Sequence, residues 1–271
     1  MMEKAIDSFA VVTGASTGIG RAISGELASR RHNLVLSSLP GQGLGDLCRK
    51  LESDFGITAY CSEGDLTAEE GPETLFDFVR QKKLNVDILV NNAGIGYEGP
   101  VEGYSKKQID NMLMLNVRAV TMLTMLFIPG LKTQDRSYIL NLSSFGCYLP
   151  TAYKSIYLAT KSYIYYFTRA IESELKGSTV RTCVAVPSAV RTNVNTCDRI
   201  ERNGWLSRKS ALEPEEVASV VIRGMFRGKK VILPGKLSGM FFGMGMIIPQ
   251  GIMMYMTRWI FRNYRQGWVE A

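Results

Sequence analysis

Histidine is nearly missing from this 271-residue chain, with His32 the one example. That scarcity removes Ser-His-Asp nucleophilic machinery and His-rich zinc sites, both of which need a placed imidazole. His32 falls in ELASRRHN ahead of a strand-like run, where a polar or cationic group suits the end of a helix. Cysteine is sparse as well. Cys48, Cys61, Cys147, Cys183 and Cys197 form no C-x-x-C, so reduced thiols are expected and no metal. No repeat, low-complexity block or composition break interrupts the chain before Pro234. The opening MMEKAIDSFAVV lacks the basic start and apolar stretch of a secretory leader, so a cytoplasmic protein is expected.

What is present is alternation. Seven apolar, β-rich runs (FAVVTG, NLVLSS, TAYCSEGD, VDILVNNAG, SYILNLSS, VRTCVAVP and KKVILPG) are separated by helical patterns. Their apolarity is continuous, not every second residue, which marks strands buried on both faces. The pattern predicts an α/β, Rossmann-type, doubly wound parallel sheet of seven strands with helices on both faces. Residues 1–234 form one such domain and 235–271 an appendage.

The first strand runs into TGASTGIG, Thr13 to Gly20. Gly14, Gly18 and Gly20 permit a tight turn, close approach of backbone to a pyrophosphate and tight helix packing, with Ser16, Thr17 and Ile19 between them. The following helix start offers free N–H groups and a positive dipole to phosphates. Further on stand NNAG at Asn91 to Gly94, Asn116 in MLMLNVRAV, and Ser144 in ILNLSSFG, thirteen residues before Tyr157 in YLATK. Alone, a glycine turn or a Tyr-x-x-x-Lys is weak evidence; in this order the signals reinforce one another.

Together these motifs resemble the short-chain dehydrogenase/reductase family, strongly over Ser8 to Asn195 and more loosely to Pro234. The resemblance implies a nicotinamide dinucleotide cofactor and a catalytic set of Asn116, Ser144, Tyr157 and Lys161. Tyr157 and Lys161 share a helix face within reach of the same nicotinamide ribose. An ammonium beside a phenol of reference pKa near ~10 favours the phenolate, so Tyr157 can exchange a proton with a substrate oxygen that Ser144 also hydrogen-bonds. Asn116 is implied to hold a water chain toward Lys161. By the same resemblance Asp65 and Leu66 follow the third strand near the adenine, and Asn92, Ala93 and Gly94 line the ribose side. Val190 and Thr192 approach the carboxamide, although Ser188 stands where the family has glycine, which predicts a different turn there.

Cofactor choice turns on the end of the second strand. Ser37 and Ser38 place no carboxylate there to repel a 2′-phosphate, and with the turn amides of Pro40 to Gly45 they could form an anion nest. NADP is favoured over NAD, although the arginine that many NADP-using members carry there is missing. The helix near Ser105 (Ile109, Met112, Leu113, Leu115, Val117, Val120, Leu123) and the one after Pro150 (Tyr163, Ile164, Phe167, Ile171) are greasier than one sheet-facing stripe requires. Deep burial within one chain is one reading; a homodimer or homotetramer interface, implied by the family, is preferred.

Leu237 to Thr257 is twenty-one residues without a charge and holds six of thirteen methionines. From Val217 to Val269 there are eight basic residues and no acid, in a chain of net charge +7. Glycines and Pro249 within the run disfavour a simple spanning helix, and two short amphipathic pieces are expected. They suit a lid over a greasy substrate, an oligomer contact or the inner face of a membrane. Nucleic acid is not an expected partner. The reading is NADPH-dependent reduction of a hydrophobic ketone of 3-keto lipid or steroid type. An NAD-dependent dehydrogenase of a hydrophobic secondary alcohol is the alternative, and a non-catalytic nicotinamide-sensing scaffold is the alternative from another class.

Overall fold

The computed structural model describes residues 8–148, 150–192 and 211–235, with 197, 239, 251, 252, 254 and 255 as single positions. The expected pair of amphipathic pieces around Pro249, and most of the appendage, lie outside the described residues.

Every apolar run noted above is a strand: β1 Ser8–Thr13, β2 Asn33–Ser38, β3 Ala59–Glu63, β4 Asn85–Asn91, β5 Ser137–Leu142, β6 Val180–Ala185 and β7 Val231–Ile232. They form one seven-stranded sheet in the order β3-β2-β1-β4-β5-β6-β7, parallel at each pairing. The order reverses between β1 and β4. A crevice therefore opens above the carboxyl ends of those two strands, the place where open α/β sheets take ligands.

The helices are α1 Gly18–Ser29, α2 Leu44–Phe55, α3 Gly71–Gln81, α4 Lys106–Leu113, α5 Val120–Leu131, α6 Ser155–Glu174 and α7 Pro214–Phe226. Alternate strand residues point to opposite faces, and both faces are covered. Ala10 and Val12 join Ile23, Leu27, Val217 and Val221 in one core, while Val11 joins Leu75, Val79, Leu123 and Phe127 in the other. All six residues of β1 are buried, which is why its sequence shows no polar alternation. Each such aliphatic side chain contributes about 1.5–3 kcal/mol through burial.

A capping box starts α4: Gln108 N–H donates to Ser105 Oγ at 3.2 Å and Ser105 N–H to Gln108 Oε1 at 2.9 Å. From there the helix continues through a π-helical stretch, Met114–Ala119, into α5. Within the Lys106–Leu131 rod an 18-residue window has a mean hydropathy of 1.6, and the rod is, among the described residues, the one helix long and apolar enough to cross a membrane. Instead Leu123, Phe127 and Leu131 bury one side of it in the core. Its other side is not buried within the chain. Leu113 and Met125 are 45% and 56% exposed, and Tyr166 on α6 is 65% exposed. Burial in a single chain thus accounts for only part of the apolar character noted in the sequence.

A polar chain ties α6 to the sheet. Asn91 Nδ2 donates to Asn141 Oδ1 at 2.8 Å, Asn141 Nδ2 to Thr168 Oγ1 at 2.8 Å, and Thr168 Oγ1 to Ile164 O at 2.6 Å. Asn91 and Asn141 are register partners at the ends of β4 and β5. His32 ends α1 as expected, its N–H donating to Leu27 O at 3.2 Å, while its imidazole is buried and stacked on Phe226 with ring centroids 5.5 Å apart. It is a packing residue, because the chain turns into β2 and carries the ring over α7.

Asp87 on β4 lies at the opposite end of the sheet from the crevice, and its Oδ1 has no hydrogen-bond partner among the described residues. Burial pushes its carboxyl up from 3.8 to about 6, the Ser8 hydroxyl opposing. A raised folded pKa favours the protonated form; that contribution is complete below the unfolded value and is lost as pH rises through about 6. Asp87→Asn is therefore expected to stabilise the protein by about 1–3 kcal/mol near pH ~7 and by almost nothing near pH ~4. Denaturant melts at the two pH values check this.

Candidate active site

The glycine loop is held from beneath by Thr13. Its Oγ1 donates to Val90 O at 3.3 Å and accepts from the N–H groups of Asn92 and Ala93 at 3.0 and 3.1 Å. Asn92 Nδ2 donates to the carbonyls of Thr13 and Gly14 at 2.9 and 3.1 Å, so NNAG and the loop are one unit. Gly14 and Gly18 have φ of 64° and 53°, a region that penalises side chains. Gly20 is fixed by proximity instead, since a Cβ there would lie 2.1 Å from Gly14 O and 2.4 Å from Asn92 Nδ2.

At the start of α1, Thr17 is extended (φ −141°), its side chain makes no capping bond, and the first turn holds no acid. Those N–H groups have no side-chain cap, which fits them to an anionic phosphate. Ser16 Oγ donates to Gln42 Oε1 at 2.6 Å, linking the loop to the turn after β2. Ile19 packs on the first core. A Cβ on Gly18 would lie 2.8 Å from Thr192 Cβ, which brings the segment after β6 over the loop. Val190 is buried and bridged to Leu212, and Thr192 N–H donates to Val190 O at 2.9 Å. Ser188 does not take positive φ, in keeping with the turn expected from its lack of glycine.

Ser37 and Ser38 are buried at the carboxyl end of β2, with Ser38 Oγ donating to Leu39 O at 3.1 Å. One charged residue that sequence reading passed over stands near them: Glu63 is Ser38's register partner on β3. Arg49 lies on α2, ion-paired to Asp46. Asp65 is exposed and its Oδ1 accepts from Thr67 N–H at 2.8 Å and Thr67 Oγ1 at 2.7 Å, while Leu66 lies in the core.

Across the crevice, Asn116 sits in the π-helical turn, fully buried. Its Oδ1 accepts from Ile95 N–H at 2.9 Å, and its Nδ2 donates to Ile95 O at 2.8 Å and Thr160 Oγ1 at 2.9 Å. A π turn widens the helix locally and aims one side chain out of the regular ladder. Lys161 is 5% exposed and its Nζ donates to Leu142 O at 2.8 Å. Burial pushes its ammonium down from 10.5 to about 8, the Cys147 sulfur exerting a smaller opposite influence. The Nζ lies 5.9 Å from the Tyr157 ring centroid. A Cβ on Gly94 would come 3.1 Å from Lys161 Nζ and 3.2 Å from Asn116 Oδ1, so this glycine leaves open the space the two groups face. The Tyr157 ring lies against Gly96, where a Cβ would be 2.6 Å from Cδ2.

The two serines after β5 separate by their bonds. Ser143 Oγ donates to Lys161 O at 2.7 Å, which fixes α6 against the sheet. Ser144 is half-buried, its carbonyl accepts from Cys147 N–H at 2.9 Å, and its hydroxyl bonds no described residue. Asn116, Ser144, Tyr157 and Lys161 thus stand around one end of the crevice, and the glycine loop floors the other. Sequence reading missed Thr13, Gln42 and Thr160, which hold the site's parts together. All three lie inside segments singled out in the sequence, Thr13 and Thr160 in the motifs and Gln42 in the Pro40 to Gly45 turn, but the bond of Gln42 to Ser16 shows only through the fold. Among the described residues no cluster of His, Cys, Asp and Glu could hold a metal ion.

Comparison with known proteins agrees with this geometry. The family model for short chain dehydrogenase matches residues 8–203. A very-long-chain 3-oxoacyl-CoA reductase of Anas platyrhynchos is 30% identical over 196 residues, covering 70% of this chain and 62% of that protein. The hydroxysteroid dehydrogenase-like protein 1 of Gallus gallus is 30% identical over 269 residues, 95% of this chain and 77% of the relative. A short-chain dehydrogenase from Sphingobium yanoikuyae, solved in complex with NADPH, superposes with a TM-score of 0.76 at 25% identity, covering 90% of this chain and 97% of that one. A crevice at the strand-order reversal, an uncapped helix start over a glycine loop and a family match across most of the chain lead to one assignment: the chain belongs to the short-chain dehydrogenase family of NAD(P)-linked oxidoreductases.

Proposed function

We propose that this protein reduces the ketone of a hydrophobic, lipid-like molecule to a secondary alcohol with NADPH. The observation that carries the reading is the buried Lys161 ammonium beside Tyr157, with the unengaged Ser144 hydroxyl on the neighbouring strand end. A bound dihydronicotinamide supplies the hydride. Tyr157 donates its phenolic proton to the carbonyl oxygen as that oxygen gains negative charge, and Ser144 donates a hydrogen bond to the same atom. Lys161, when charged, lowers the cost of the phenolate left behind. Asn116 and Thr160 hold the turn that faces Lys161, from which the phenol is reprotonated through water. Gly14, Ser16, Thr17, Gly18, Ile19 and Gly20 would hold the pyrophosphate of a bound dinucleotide. Asp65 and the backbone of Leu66 would meet the adenine, Asn92, Ala93 and Gly94 the ribose, and Val190 and Thr192 the nicotinamide.

Support for a lipid-like ketone comes from the likeness to a very-long-chain 3-oxoacyl-CoA reductase and from the apolar Leu237 to Thr257 segment, whose lipid contact belongs to the proposal. NADPH is favoured by the carboxylate-free end of β2 and by the NADPH held in the Sphingobium yanoikuyae protein. Ser38→Asp is expected to weaken NADPH at least about tenfold more than NADH through charge repulsion; equal losses in paired fluorescence titrations would remove the 2′-phosphate role of this strand end. Pairing of two chains through the open face of Met125 and Tyr166 completes the reading, and Tyr166→Glu is expected to yield monomers in light scattering.

A further inference from the structure

Strand β7 has only two residues, and its first, Val231, pairs with Val184. The preceding part of β6, Val180 to Cys183, is left without that neighbour, and a cavity of about 230 Å³ fills the gap. Its walls include Glu172 and Lys176 from the end of α6 and the turn beyond, Arg181 and Thr182 from β6, and Lys229 and Lys230 from the turn after α7. The cavity lies at the amino end of β6. Lys161 bonds the carboxyl end of β5, and the two strands are parallel, so this cavity and the catalytic crevice sit at opposite ends of the sheet.

Four cations face one carboxylate here, and that carboxylate is already neutralised. Glu172 lies 2.5 Å from Lys230 Nζ and 3.0 Å from Arg169 Nη1. Lys176, Arg181 and Lys229 form no ion pair with any described residue. Arg181 lies along the turn, its Nη1 3.2 Å from where a Cβ on Gly228 would be. Thr182 is 6% exposed, and its Oγ1 has no hydrogen-bond partner among the described residues. A buried hydroxyl without a partner costs about 1–3 kcal/mol whether or not the cavity is filled, whereas the gathered like charges repel one another, and an anionic ligand relieves that repulsion.

We propose that this cavity binds a phosphomonoester group. A guanidinium and two ammonium groups match its charge and its oxygens. A divalent cation is excluded by the sign of the field. The phosphate could belong to a soluble metabolite or to a lipid headgroup, and the two sources can be told apart.

The test is thermal unfolding of the full chain with increasing inorganic phosphate, at ionic strength held constant with potassium chloride and with NADPH present to occupy the crevice. Wild type is expected to show a saturable rise in Tm. Lys176→Ala/Lys229→Ala should weaken that response at least about tenfold, consistent with loss of hydrogen bonds to a charged group, whereas Thr182→Val should leave it unchanged. Neither variant should change the rate of ketone reduction, and Thr182→Val should fold at least as stably as wild type without phosphate because it removes an unmet hydroxyl. Co-sedimentation with vesicles of phosphatidylcholine, with and without phosphatidic acid, then assigns the source. Binding that needs phosphatidic acid and fails in the double variant marks a lipid headgroup; a phosphate response without vesicle binding marks a soluble ligand. An identical phosphate response in wild type and double variant, or no response beyond that of chloride, overturns the proposal.

Discussion

Tyr157→Phe is expected to lower kcat for ketone reduction by about a thousandfold or more, the range lost when a positioned general acid is removed. About three factors of ten correspond to about 4 kcal/mol of transition-state stabilisation. Dinucleotide affinity should change little, because the role proposed for the missing hydroxyl is toward the substrate and the ring contact with Gly96 is kept. Stopped-flow turnover combined with nucleotide titration separates the two effects. An enzyme working through Tyr157 loses turnover and keeps binding. Retained turnover would transfer the acid role to another group, and the non-catalytic reading would gain if wild type and variant were equally inert toward every ketone.

The second large effect concerns Gly20. Adding a methyl group there places it 2.1 Å from Gly14 O and 2.4 Å from Asn92 Nδ2, and neither can yield without opening the loop that Asn92 latches. Gly20→Ala is expected to destabilise the fold by about 2–4 kcal/mol, in the range of forced overpacking and broken buried hydrogen bonds, and to weaken dinucleotide binding at least about a hundredfold. Gly25 supplies the control. It lies on the same helix, a Cβ there meets nothing within 4 Å, and Gly25→Ala should stabilise by about 0.5–1 kcal/mol through helix propensity. Thermal melts and nucleotide titrations of both variants test the pair. A Gly20→Ala protein that binds dinucleotide like wild type would mean that the loop opens freely.

Much of this architecture was legible in the chain because burial on both faces leaves an unmistakable record. Strands such as NLVLSS read as strands from apolar continuity alone, and all seven are present. Less legible was anything that depends on a contact across elements. The sequence of MLMLNVRAV carries no sign that Met114–Ala119 winds as a π turn, because that distortion is sustained by Asn116 bonding Ile95 and Thr160 on other segments. Ser144 stands thirteen residues before Tyr157 in the sequence, and only the structure shows that its neighbour Ser143 is committed to Lys161 O. Gln42 went unnoticed since its partner Ser16 is twenty-six residues away and meets it only in the folded chain. His32 stands at the helix end that its local pattern indicates, but the stacking of its ring on Phe226 is a contact across elements that the pattern does not carry.

Lys161 links these observations to chemistry. Its folded pKa is depressed, so its contribution to stability is fully present above about 10.5 and is lost as pH falls through about 8. Holding a charged lysine in that setting at neutral pH costs folding free energy, and the return is an ammonium fixed next to the proton donor.

The most direct test of the central claim is NADPH oxidation by purified protein in the presence of a long-chain 3-ketoacyl thioester, with product identified by mass. The account predicts one alcohol formed for each NADPH consumed, at a rate that Tyr157→Phe abolishes. Tight NADPH binding without transfer to this or any other hydrophobic ketone would contradict it.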